Sequence, residues 1–237
     1  MTLKQTFITM LVFLVILGGC SATQQVGLTL GSSAEMRVSL TLEPFFEQYL
    51  WDLGSQAREQ ESLFDLPRIS RALEDLGLEI LSIGTTGTRS LDLHLVVPNP
   101  QEIARTKLDS PDFLTWTTGT QPAKLTITLN QAIIRKLIGT TSLVQQEGLS
   151  YLMPAPGSSA QDYLDDLVWM LEDYESPPIL AAILRESGVR LQIQTPRDII
   201  QLSGPGTTRI GPRVGEIRIG MIDILTLNGS RTYVVEY

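Results

Sequence analysis

Ala34-Glu35-Met36-Arg37-Val38-Ser39-Leu40-Thr41-Leu42 alternates apolar and polar residues without a fault. Successive side chains of an extended strand point to opposite faces, so the pattern predicts a half-buried strand. Phe45 to Arg58 follows at helical spacing, with Phe45, Phe46, Tyr49, Leu50 and Leu53 on one face. Asp65 then reads as an N-cap, with Pro67 in the first turn of a helix carrying Leu66, Ile69, Leu73 and Leu76 inward. Gly77 supplies its stop. Two strands come next, Leu78 to Ile83 and Ser90 to Val97, joined through Gly84 to Arg89 as a hairpin connection.

The same reading continues to the C-terminus. A short helix is expected over Gln101 to Lys107, loop over Asp109 to Gln121, and a strand over Lys124 to Leu129. Asn130 caps a helix through Ile138 that ends at Gly139. Tyr163 to Tyr174 and Ile179 to Glu186 read as amphipathic helices. Arg190 to Thr195 and Glu216 to Ile219 alternate as strands. Ile222 to Leu227 and Thr232 to Val235 read as a final strand pair around Asn228-Gly229, a strong hairpin signal. Strands joined by hairpins, without strict strand–helix alternation, predict an α+β fold with a largely antiparallel sheet and helices packed on one face. The candidate subdomain break lies near 153–160, where Met153-Pro154-Ala155-Pro156-Gly157 reads as linker or surface loop.

Composition narrows the function. The chain has 237 residues, one Cys, one His and a formal charge of −8. A Cys/His zinc site and a disulfide framework cannot be built from that stock. An acidic body lacks the basic face that nucleic acid demands. No cofactor motif is present, and the expectation is a protein with neither cofactor nor nucleic-acid partner.

The first residues set the compartment. Lys4 and the amino terminus precede an apolar run from Phe7 to Leu17. Eleven helical residues span about 16 Å, short of the ~30 Å hydrocarbon core, so the run reads as a signal-peptide h-region and not a spanning helix. It ends on Leu17-Gly18-Gly19-Cys20. These residues resemble the lipobox of bacterial lipoproteins: an aliphatic residue, two small ones, then the Cys that is acylated. The resemblance implies cleavage after Gly19, acyl chains such as palmitate on Cys20, and a cell-envelope location. Ser21, where an Asp would favour retention in the inner membrane, implies an outer-membrane protein facing the periplasm in an organism with two membranes. Residues 1–19 are then the signal peptide, 20–33 a lipidated tether, and 34–237 one α+β domain. Losing residues 1–19 removes Lys4 and no acid, so −8 becomes −9. An anionic bilayer surface repels such a body, which is expected to hang in the aqueous compartment on a tether reaching at most ~45 Å.

Candidate chemistry is sparse. Gly204-Pro205-Gly206-Thr207-Thr208-Arg209-Ile210-Gly211-Pro212-Arg213 is the one basic, Gly-rich stretch. Arg209, Arg213 and Arg218 could meet an anionic ligand, a lipid headgroup or an acidic partner, although the stretch lacks P-loop spacing. A solvated loop is the plainer reading. Trp116 stands in the aperiodic stretch, where an exposed aromatic would mark a binding edge or a membrane contact. Trp51 and Trp169, on amphipathic helices, are expected in the core. His94 shares a strand face with Asp92 and Val96, and would act as a base only beside Ser82 or Ser90. Asp162, Asp165 and Asp166 suit a helix N-terminus better than a calcium loop. No metal site and no catalytic constellation are recognisable. The expectation is a lipid-anchored, non-enzymatic binding or assembly module. A carrier of lipid or another apolar ligand, and a hydrolase using carboxylates, remain as alternatives.

Overall fold

The computed structural model describes residues 20–53, 63–118, 122–139, 152–155 and 157–237. The signal peptide read over 1–19, the helix tail read over 54–58 and the loop at 119–121 lie outside the described residues. Strand β1 (Cys20–Leu28) pairs antiparallel with β2 (Ala34–Leu42), the strand the alternation predicts. A seven-stranded sheet forms around them in the order β3-β4-β2-β1-β7-β10-β9. Its other members are β3 (Glu79–Thr86), β4 (Ser90–Val97), β7 (Gly188–Gln194), β9 (Thr207–Gly211) and β10 (Val214–Gly220). Only β1 and β7 run parallel; every other pair in it is antiparallel. A second, antiparallel sheet holds β5 (Leu114–Thr117), β6 (Lys124–Asn130), β11 (Ser230–Glu236) and β8 (Gln201–Ser203) in that order.

The fold is α+β and mostly antiparallel, as the pattern predicts. Val38, Leu40 and Leu42 on β2, with Leu91, Leu93 and Leu95 on β4, turn one face of the large sheet into the core. Helix α1 (Pro44–Leu53) lays Phe45, Phe46 and Tyr49 into that core, and α2 (Leu66–Asp75) adds Ile69 and Leu73. Burying each such side chain stabilises by about 1.5–3 kcal/mol relative to leaving it in water. The predicted cap of α2 is present: the Asp65 carboxylate accepts from Arg68 N at 3.0 Å, and Gly77 ends the segment at φ +80°. Further along are α3 (Pro100–Thr106), α4 (Gln131–Gly139), α5 (Ala160–Leu171), α6 (Pro177–Glu186) and α7 (Met221–Leu225). Across the candidate break, Leu152 and Tyr163 belong to the same core, and Tyr163 Oη donates to Leu152 O at 2.5 Å.

Four expectations are corrected. The stretch read as a tether opens with β1, fourth of the seven strands, hydrogen-bonded on both sides. Its own apolar signal is thin, and the pairing with β2 and β7 makes it a strand. The aperiodic stretch from Asp109 contains β5. Ile222 to Leu227 is not a strand: Met221, Ile222, Ile224 and Leu225 are all buried in α7, so the final hairpin is a helix–turn–strand. Buried on every side, a short apolar run carries no period by which helix and strand could be told apart. Trp169 is 72% exposed, not core. Helix α5 begins earlier than its periodicity suggests, on a capping box between Ser159 and Asp162.

Candidate functional site

The other face of the seven-stranded sheet is polar. The β2 residues that alternate with the core positions, Glu35, Arg37, Ser39 and Thr41, are exposed. Strand register extends them into rows. Ser82, His94, Arg37, Gln25, Gln192, Glu216 and Thr208 stand opposite one another in succession from β3 to β9. Asp92, Ser39, Thr23, Arg190 and Arg218 make the neighbouring row. Directly opposed residues of antiparallel strands on one sheet face lie about 4.5–5.5 Å apart at Cβ, so neighbours within each row stand close together.

Two clusters order the face. Glu216 accepts from Arg218 Nε at 2.6 Å and from Gln192 Nε2 at 3.1 Å, with Arg190 Nε 4.0 Å away. Its side chain is buried, while those of Arg218 and Arg190 are 64% and 50% exposed. The hydrogen bond from Arg218, then that from Gln192, holds the Glu216 carboxyl below its ordinary value of 4.5 against the opposing effect of burial. At the other side of the sheet, His94 Nε2 donates to Glu35 Oε1 at 2.7 Å, and Arg37 reaches the same oxygen at 3.3 Å. The bond from His94 is the main cause lowering the Glu35 pKa. On the same two strands, Ser39 Oγ donates to Asp92 at 2.7 Å.

A carboxylate with a depressed folded pKa binds its proton less readily when folded. Its stabilisation is therefore present above the unfolded pKa and is lost as pH falls through the folded value. The urea midpoint of the protein should hold near neutrality and fall as the pH drops below about 5. Glu216→Gln should flatten that decline. A variant that declines as steeply as the parent would exclude Glu216 as a source of it.

The structure does not gather the predicted arginines. Arg209 Nε and Nη2 donate to the carbonyls of Gly211 and Pro212 at 3.3 and 3.1 Å. Arg213 pairs with Asp198 at 3.0 Å. Arg218 belongs to the Glu216 cluster, while Arg209 stands opposite Gly215, one position off the row of Glu216 and Thr208. Sequence proximity brought together residues that strand alternation separates. Trp116 is buried on β5 and its Nε1 donates to Tyr237 Oη at 2.9 Å, so it is an interior residue and not a binding edge. His94 is engaged by Glu35, not by Ser82 or Ser90. Asp162 serves the cap of α5 and Asp165 accepts from Gln161 at 2.8 Å. Among the described residues, no group of three or more His, Cys, Asp or Glu is placed to hold a metal. The partners that sequence reasoning missed are Arg190, Gln192, Glu35 and Arg37. Their strands were legible by alternation, but which strand lies beside which is a tertiary property.

Cys20 opens β1, with its backbone opposite Leu42 of β2. Among the described residues, no helix is long and apolar enough to cross a membrane. No protein-family model matches the chain, and no curated protein matches it. Among solved structures it is similar to the NMR structure of the folded domain of Mycobacterium tuberculosis LppM. That likeness has 6% sequence identity over 92% of this chain and 90% of that one, with a TM-score of 0.37.

Proposed function

We propose that the protein is a lipid-anchored module of the bacterial envelope, held by acyl chains on Cys20, whose work is binding or assembly and not catalysis. The observation that carries this reading is a coincidence of two boundaries. The Cys that ends Leu17-Gly18-Gly19-Cys20 is also the first residue of β1. Cleavage before Cys20 would leave every residue of the large sheet intact and put the acylated residue at its end. Two or three acyl chains hold a protein stably where one does not, since each buried CH₂ contributes ~0.8 kcal/mol. In a two-membrane organism, Ser21 favours the outer membrane with the domain in the periplasm. The polar face suits recognition: the Glu35 and Glu216 clusters are held by their own hydrogen bonds before any partner arrives, which lowers the ordering cost of binding.

Cys20→Ser should abolish metabolic labelling by an alkyne fatty acid and move the protein from the membrane to the soluble fraction. Unchanged membrane association in that variant would refute the lipid as anchor.

A further inference from the structure

We propose that the seven-stranded sheet stands end-on on the bilayer, with no spacer between lipid and fold. This rests on the lipid-anchor reading above and adds to it an orientation and a membrane-facing surface. Cys20 is the first residue of β1, paired with Leu42, and Ser21 is already paired with both Thr41 and Gly188. The length of chain expected to be slack is consumed by the sheet. Strand β1 is also the fourth of seven, so three strands flank the anchor on each side. An anchor at the middle of the sheet's end holds that end level against the headgroups.

Register identifies the two ends. With Cys20 lie Leu42, the β3–β4 turn at 87–89, Gly188 and Gly220. The opposite end holds the β1–β2 turn at 29–33, with Val97, Gln194 and Val214. Strand rise of about 3.3 Å per residue puts that turn roughly 25–30 Å farther out. The surface beside the anchor includes an uncharged patch. Pro44, Thr86, Gly87 and Thr88 are exposed there and uncharged. Of the carboxylates bordering it, Glu47 is paired with Arg89 at 3.4 Å and Asp223 with Arg231 at 3.6 Å, Glu43 is half-buried, and Glu186 is exposed. The two ion pairs reduce repulsion from anionic lipid where the domain comes nearest to it. The strands then run outward, and the polar face stands upright, open to a partner approaching along the membrane plane.

Acylation consumes the single native Cys, so an introduced Cys labels alone. The acylated full-length protein, carrying Thr88→Cys or Ser32→Cys labelled with bimane, would be reconstituted into phosphatidylethanolamine–phosphatidylglycerol vesicles containing a headgroup-nitroxide lipid. Quenching should be severalfold stronger at position 88 than at position 32. Equal or reversed quenching in protein that floats with the vesicles overturns the orientation and leaves the anchor standing. Failure of the unlabelled parent to float overturns the anchor, and the orientation with it. A fifteen-residue Gly/Ser insertion after Cys20 should erase the difference between the two positions. Persistence of that difference would overturn the claim that the missing spacer sets the orientation.

Discussion

A chain that begins at Ala34, lacking residues 20–33, is expected not to fold. Strand β1 joins β2 to β7 and is the one strand linking β3-β4-β2 with β7-β10-β9. It is in register with β2 from Cys20 to Leu28 and with β7 from Ser21 to Gly27. Its removal leaves two interior edges with unpaired N–H and C=O groups, each ladder bond contributing about 0.5–1.5 kcal/mol net. Ala22 and Leu28 also leave the core. The sum is of the same size as the roughly 5–15 kcal/mol that holds a domain of ordinary stability. A chain beginning at Ser21 keeps both ladders apart from the Cys20–Leu42 pair and should melt near the parent temperature. Circular dichroism melts of the two chains decide the matter. A cooperative, parent-like transition in the chain beginning at Ala34 would restore residues 20–33 as a dispensable tether.

The contrast between β1 and β2 explains what the sequence made legible. Ala34–Leu42 carries its own fate in its alternation, since one face is core and the other is water. Cys20–Leu28 has Gln24 in register with buried Val38 and apolar residues only at intervals, so its strand character comes from neighbours that close on it from both sides. The same reason hid the role of Trp116. Its partner Tyr237 lies 121 residues away, and an aromatic in a four-residue strand looks like a loop aromatic until the chain end returns. The helices were legible where local chemistry ends them, as at Asp65 and Asn130. At the polar face, alternation gave away β7 and β10 singly. The Gln192–Glu216 bond needs their register, and that is set by packing across the sheet.

Gly206→Ala is expected to destabilise the fold heavily, for a reason unrelated to anion binding. Gly206 sits at φ +70°, where its carbonyl accepts from Arg218 N at 2.9 Å. A Cβ on it would overlap the carbonyl oxygen of Arg218, which is backbone and cannot rotate away. Left-handed strain costs about 1–3 kcal/mol and forced overpacking about another 1–3. At roughly 2–4 °C per kcal/mol for a protein of this size, the melting temperature should fall by about 5–20 °C. Since β10 must shift at Arg218, the bond to Glu216 should weaken too, and the acid decline should become shallower. Gly211, in the same Gly-rich stretch, is the matched control. A Cβ there meets Val214 Cβ at 3.8 Å, an ordinary contact, so Gly211→Ala should stay within about 0.5 kcal/mol of the parent. Gly206 is required, on this account, because β9 must begin within hydrogen-bonding distance of Arg218 on the neighbouring strand. If both alanine variants melted with the parent, the close approach of Gly206 to β10 would not be what the glycine is for.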